Sequence, residues 1–225
     1  MKKLAIIVAG GSGLRMGGTV SKQYLEIGGR PILMHTLTAF HRYSAEMDLI
    51  LVIPGRDVEF WKNLCSKYDF SLPHQLVAGG NSRFQSVKNG LDAVQYKEGL
   101  VAVHDGVRPF VSQDVIARGF EEALQGGSAI AVVQLKDSIR KVGEDGTSSF
   151  LVRENFRLVQ TPQIFMLSKI KQAYKAEEQP IFTDEATVYE HQGWKVNLYQ
   201  GDPSNIKITT PEDLDFADFT IRKKI

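Results

Sequence analysis

The 225-residue chain balances 27 lysines and arginines against 26 acidic residues, a formal charge of +1, so nothing global draws it to nucleic acid or to an anionic membrane surface. A single cysteine, Cys65, excludes an intrachain disulfide and makes a cysteine-based metal centre a poor expectation. The apolar fraction of 43% suits a chain with a real core, and no apolar run nears the about 20 residues of a membrane span, so a soluble, cytoplasmic protein is expected.

Leu4–Ala9 is a continuous apolar run, too short for the core of a signal peptide and suited to a parallel strand covered on both faces. It ends in Gly10-Gly11-Ser12-Gly13, with Arg15 and then Lys22 close behind. Pro31–Tyr43 carries Ile32, Leu33, Thr36, Leu37 and Phe40 on one helical stripe. Leu49–Ile53 reads as a strand, and Asp57 is placed to cap a helix bearing Phe60, Trp61 and Leu64. Gln75–Ala78 is strand-like, Ser82–Val94 helical, Leu100–His104 an apolar run stopping at Asp105-Gly106, Ser112–Leu124 helical and Ala129–Val133 a strand. This alternation predicts an α/β fold with a doubly wound, mostly parallel sheet in one domain spanning residues 1–225. The pattern breaks at 136–160, where Ser138–Val142 and Ser149–Arg153 flank Asp145-Gly146 and predict a β-hairpin arm outside the main sheet. Helices are expected at Leu167–Ala176 and Asp184–Gln192, strands at Lys195–Tyr199 and Ile206–Ile208, and a last helix opened by Thr210-Pro211-Glu212-Asp213.

The glycine loop fits neither common phosphate loop. No Gly-Lys-Ser/Thr closes it, Met16 stands where the dinucleotide fingerprint needs a glycine, and a long segment separates it from the next helix. A tight turn with solvated charges would account for the glycines alone. Position favours more: ligands of open parallel sheets bind at the carboxyl ends of strands, where backbone N–H groups cradle phosphates and Arg15 and Lys22 would add charge.

The stretches A-G-G-S-G-L-R-M-G from Ala9 and S-K-Q-Y-L-E-I-G-G-R-P from Ser21 resemble the 2-C-methyl-D-erythritol 4-phosphate cytidylyltransferase family. V-A-G-G-N-S-R-F-Q-S-V from Val77, V-H-D-G-V-R-P-F-V from Val103, R-E-N-F-R-L-V-Q-T-P-Q-I-F from Arg153, T-D-E-A from Thr183 and N-I-K-I-T-T-P-E-D-L from Asn205 extend the likeness over nearly the whole chain. The resemblance implies a Rossmann-like nucleotidyltransferase fold, CTP and a sugar-alcohol phosphate as substrates, Mg²⁺ as cofactor and pyrophosphate as product. It places Arg15 and Lys22 at the transition state, and Arg153 and Lys207 on the acceptor phosphate. It puts Ala9, Gly10, Gly11, Ser12 and Gly13 along the ribose and triphosphate, and Gly80, Asn81, Arg83 and Ser86 at the nucleotide. Asp105 and Gly106 would touch CTP, and Asp105, Arg108 and Ser138 the acceptor. No metal ligand is assigned, Asp105 being the candidate. Ser21 and Asn81 depart from the family's usual proline and acid. The arm would join a homodimer, carrying Arg153 into the neighbour's site.

Simpler readings stand beside these. Asn81-Ser82 suits a helix cap, His104 a core histidine rather than a base, and Thr183-Asp184-Glu185 a capped helix start with acids in its first turn rather than a metal site. Rival functions are a ribitol-5-phosphate cytidylyltransferase, a nucleotidyltransferase for another base, and a nucleotide-binding protein without chemistry.

Overall fold

The computed structural model describes residues 1–10 and 20–223. The chain runs β1 (Lys3–Val8), a 3₁₀ turn at Lys22–Tyr24, β2 (Glu26–Ile27), β3 (Arg30–Pro31), α1 (Ile32–Tyr43), β4 (Asp48–Ile53), α2 (Val58–Lys67), β5 (Gln75–Ala78), α3 (Arg83–Asp92), β6 (Leu100–Asp105), α4 (Gln113–Gly126) and β7 (Ser128–Gln134). There follow β8 (Ile139–Val142), β9 (Ser148–Leu151), β10 (Arg157–Met166), α5 (Leu167–Ala173), α6 (Glu185–Glu190), β11 (Leu198–Gln200) and α7 (Pro211–Arg222).

Seven strands form the central sheet in the order β11-β7-β10-β6-β1-β4-β5. All its pairings are parallel except those of β10, antiparallel to both β6 and β7. From β1 the chain winds outward through β4 and β5, then returns to β6 on the other side of β1. The reversal leaves a crevice at the carboxyl ends of β1 and β6, where open α/β sheets hold ligands.

Alternation along β1 explains its apolar run. Ala5 and Ile7 join Leu33, Leu37 and Phe40 of α1, while Leu4, Ile6 and Val8 join Val87 and Leu91 of α3. At Gly90 an added Cβ would come 2.8 Å from Ile6, so α3 sits hard against the sheet. A third cluster, Ile27, Ile32, Val107, Phe110, Ile208 and Ala217, ties the β2–β3 turn, the loop after β6, the Lys207 segment and α7 together.

Several expectations need correction. β10 was not anticipated as a strand; its Pro162 argues against a central strand, and a register shift between Val159 and Gln163 accommodates that residue. Because β10 starts at Arg157, the end of the 136–160 stretch pairs with β7 rather than with the hairpin. Ile206–Ile208 is not a strand: Ile208 N–H donates to Val107 O in a loop. Asp57 precedes α2 without a side-chain capping bond and instead accepts from Tyr24 Oη at 3.2 Å. The hairpin β8–β9 is present as its own two-stranded sheet, with Ile139 opposite Leu151. No helix among the described residues is long and apolar enough to cross a membrane.

Candidate active site

Past the end of β1, Ala9 N–H donates to Val52 O at 2.9 Å, and past β6, Gly106 N–H donates to Val8 O at 2.9 Å. The crevice floor is thus held by bonds that continue the sheet. Lys22 opens the 3₁₀ turn; behind it Gln23 is buried and donates to Ala9 O at 3.0 Å, and Tyr24 packs edge-on against Phe60. From the other side comes the loop before α3. Ser82 caps that helix by accepting from Gln85 N–H, while Ser86 Oγ accepts from Gly80 N–H at 3.1 Å and donates to Ser82 O at 2.8 Å. Gln85 Oε1 accepts from Asn81 N–H at 3.0 Å. Ser82 therefore caps, and the loop is folded over its own helix with its glycine backbone toward the crevice.

These segments enclose a cavity of about 420 Å³. Ala9, Gly10, Lys22, Gly80, Asn81, Arg83, Ser86, Asp105 and Lys207 all line it. A larger cavity of about 660 Å³ opens beside Asp48 and Gln75, at the opposite ends of β4 and β5; no lysine or arginine is among its described lining. Charge, rather than size, singles out the first.

Asp105 is the charge centre. Its Oδ1 accepts from Arg83 Nη1 at 2.8 Å; its Oδ2 accepts from Arg108 Nε at 3.1 Å and lies 3.1 Å from Lys207 Nζ. Burial opposes ionisation of this carboxyl, but Arg83, Lys207 and Arg108 together outweigh it and hold the group well below the usual carboxylate range. Arg108 also donates to Asn205 O at 2.9 Å, which fixes the segment before Lys207 against the loop after β6.

His104 is a core histidine, as its setting at the end of an apolar run suggested. It is fully buried, and burial pushes its pKa down to about 4. Its Nε2 lies 3.1 Å from Arg108 O, which can only accept, so the neutral ring carries its proton there. Nδ1 then accepts from the Thr161 hydroxyl at 3.1 Å, and that oxygen accepts from Asp105 N–H at 3.0 Å. Every proton in this relay has an acceptor, and the relay sets the Asp105–Arg108 turn.

Not every anticipated residue meets here. Gly106 and Arg108 stand immediately behind Asp105. Ser138 and Arg153 belong to the hairpin region and are not among the cavity's lining; Arg153 pairs with Glu154 at 3.2 Å and donates to Lys136 O. Gly11, Ser12, Gly13 and Arg15 lie outside the described residues.

A sequence profile of the 2-C-methyl-D-erythritol 4-phosphate cytidylyltransferases matches residues 3–223. The chain belongs to this family. A family protein from Bacteroides thetaiotaomicron is 50% identical over 214 residues, covering 95% of this chain and 97% of its own. Another from Bacteroides fragilis is 49% identical over 217 residues, covering 96% and 98%. The crystal structure of a 4-diphosphocytidyl-2C-methyl-D-erythritol synthase from Anaerococcus prevotii superposes with a TM-score of 0.84 at 32% identity, covering 98% of each chain. The 2-C-methyl-D-erythritol 4-phosphate cytidylyltransferase of Thermus thermophilus gives 0.78 at 30% identity, covering 99% of this chain and all of its own.

For a cytidylyltransferase the cavity is notable in two further respects. Among the described residues, no cluster of three or more His, Cys, Asp or Glu is placed to hold a metal. Asp105 is the one carboxylate among the described lining residues, and three cations already surround it. These residues do not fit a protein-held Mg²⁺ cage. Second, Glu185 is more than an acid in a helix's first turn. It is fully buried and pairs with Arg83, although the expected cap is also present, with Asp184 and Thr187 forming a capping box. An acid next to a good N-cap looks sufficiently explained by the helix; its far partner on α3 leaves no local signal.

Proposed function

We propose that the protein transfers the cytidylyl group of CTP to 2-C-methyl-D-erythritol 4-phosphate, giving 4-diphosphocytidyl-2-C-methyl-D-erythritol and pyrophosphate. Family membership supports the reaction. The observation that carries it to this chain is the convergence of Gly10, Lys22, the Gly80–Ser86 loop, Asp105 and Lys207 on one cavity at the sheet's switch point. The relatives named above carry the methylerythritol name, and the ribitol phosphate alternative is not favoured.

In this reading cytosine lies against Gly80, Asn81 and Ser86, where the Asn81 amide oxygen accepts from the base's amino group. Ribose and triphosphate follow Ala9 to Gly13, with Arg83, Asp105 and Gly106 alongside. The acceptor phosphate sits on Lys207 and Arg153, near Arg108 and Ser138. One of its oxygens attacks the α-phosphorus in line as the bond to the β-phosphate oxygen breaks, and pyrophosphate leaves. The attacking oxygen is already ionised at neutral pH, so no base is needed. Positioning and positive charge perform the catalysis, with Lys22 and Arg15 at the transferring phosphoryl group. Mg²⁺, carried in with the nucleotide, would supply further positive charge. Arg153 is assigned to the neighbouring subunit's site, the 136–160 arm making a homodimer.

A panel of CTP, UTP and ATP crossed with methylerythritol phosphate and ribitol phosphate, read by pyrophosphate release, tests the proposal. CTP with methylerythritol phosphate should lead. Comparable kcat/KM for UTP would defeat the base assignment, because a site built for the cytosine amino group leaves polar groups unpaired on uracil. Preference for ribitol phosphate would defeat the acceptor.

A further inference from the structure

Arg83 stands between two acids that do not touch each other. Its Nε donates to Glu185 Oε1 at 3.1 Å and its Nη2 to Glu185 Oε2 at 2.9 Å, while its Nη1 donates to Asp105 Oδ1 at 2.8 Å. The Glu185 side chain is fully buried, that of Asp105 is 6% exposed, and that of Arg83, which borders the cavity, is 28% exposed. Both ends of the clamp are anchored. Arg83 is the first residue of α3 after its Ser82 cap. Glu185 opens α6, whose start is tied to β10: Gln163 Nε2 donates to Asp184 at 2.9 Å and Ala186 N–H to Gln163 Oε1 at 2.8 Å. A planar guanidinium gripped by a two-pronged carboxylate has one orientation.

We infer that Glu185 is a positioning residue of the transfer site: by occupying two of Arg83's three nitrogens it turns the third onto Asp105 and withholds Arg83's charge from the bound phosphates. Asp105 in turn anchors Lys207 and Arg108. The pair Glu185–Arg83 is neutral, so among the described lining residues the net positive charge rests on Lys22 and Lys207. A pocket that must release pyrophosphate after each turnover cannot hold it with every cation at hand. This assignment rests on the cytidylyltransferase reading of the cavity.

The Glu185→Gln variant tests it. Glutamine keeps the shape but offers one acceptor, and its NH₂ opposes a guanidinium N–H, so one prong of the clamp is lost. Arg83's uncompensated charge then faces the phosphates. Pyrophosphate should bind about three- to tenfold more tightly, as one unscreened charge near a polyanion predicts, while kcat falls. Glu185→Asp keeps the charge and should hold pyrophosphate affinity within about twofold of the parent. Unchanged or weaker pyrophosphate binding in Glu185→Gln overturns the inference, as does identical behaviour of the two variants, which would mark Glu185 as structural support alone. Pyrophosphate affinity is read by calorimetry without acceptor. A parent enzyme that binds pyrophosphate yet joins CTP to no polyol phosphate would sink the reaction assignment and leave this test standing. Should Glu185→Gln fail to fold, Arg83→Lys decides: it keeps the charge but loses the fork that joins Glu185 to Asp105, so kcat should fall as Asp105, Lys207 and Arg108 lose their setting, and unchanged kcat refutes the role.

Discussion

The cavity end of the sheet and the β8–β9 hairpin are opposites in how they satisfy their groups. At the cavity, a buried carboxylate is held by cations from α3, from the turn after β6 and from the segment before α7. Behind it the Thr161 hydroxyl donates to His104 Nδ1, and Asn205 Nδ2 donates to Thr161 O. At the hairpin, Phe150 is 74% exposed and Val142 68% exposed, and among the described residues the strands pair only with each other. Two strands on their own are marginal in water, and exposed apolar side chains so grouped mark an interface. In one region the buried carboxylate finds its cations within a single chain; the other has the features of half of a contact, and a second copy of the hairpin in a two-fold dimer would supply the rest.

The sharpest way to break this contrast is at the cavity. Lys22→Ala should lower kcat by on the order of 10²-fold or more while affecting CTP binding far less, because the contact proposed for it is one made in the transition state. Near-parental kcat in single-turnover assays would remove Lys22 from its role. Next in size is the pH response of the buried relay. His104 is neutral when folded, with a pKa of about 4, and it titrates near 6.5 when unfolded. Its contribution is full above about pH 6.5 and is lost as pH falls toward 4, about 3 kcal/mol in all. Denaturant melts across that range should show the loss, and His104→Asn should flatten it; an unchanged slope contradicts the account.

Two smaller effects sharpen the hairpin's side. An inactive Lys22→Ala subunit mixed with an inactive Arg153→Ala subunit should recover roughly a quarter of parental activity, since in the proposed shared-site dimer half the dimers would be mixed and each would hold one intact site. No recovery, with mixed dimers shown by mass spectrometry, would place Arg153 in its own chain's site. Phe150→Ser should leave the stability of the isolated chain within about 0.5 kcal/mol while shifting sedimentation toward monomer. A large stability loss without that shift would mean the hairpin packs at home.

The sequence spoke clearly where a covered strand is a continuous apolar run. Leu4–Ala9 and Leu49–Ile53 could be read within a residue or so of β1 and β4, because their apolar runs have no other use. β10 hid behind Pro162 and its glutamines, which serve a purpose that only the fold shows: Gln160 donates to Asp202 O, and Gln163 holds the start of α6. The site was legible where family motifs name residues, at Lys22, Asp105 and Lys207. At Glu185 the T-D-E-A motif marks the residue but not its partner, which lies 102 residues away on another helix; pairing across that distance leaves no periodicity to read.

The most direct test of the central claim is phosphorus NMR on the purified protein with CTP, methylerythritol phosphate and Mg²⁺. The account predicts loss of the acceptor's phosphomonoester signal in step with the appearance of a diphosphate diester and an equal amount of pyrophosphate. Release of CMP, or conversion of CTP with the acceptor's phosphate untouched, would contradict it.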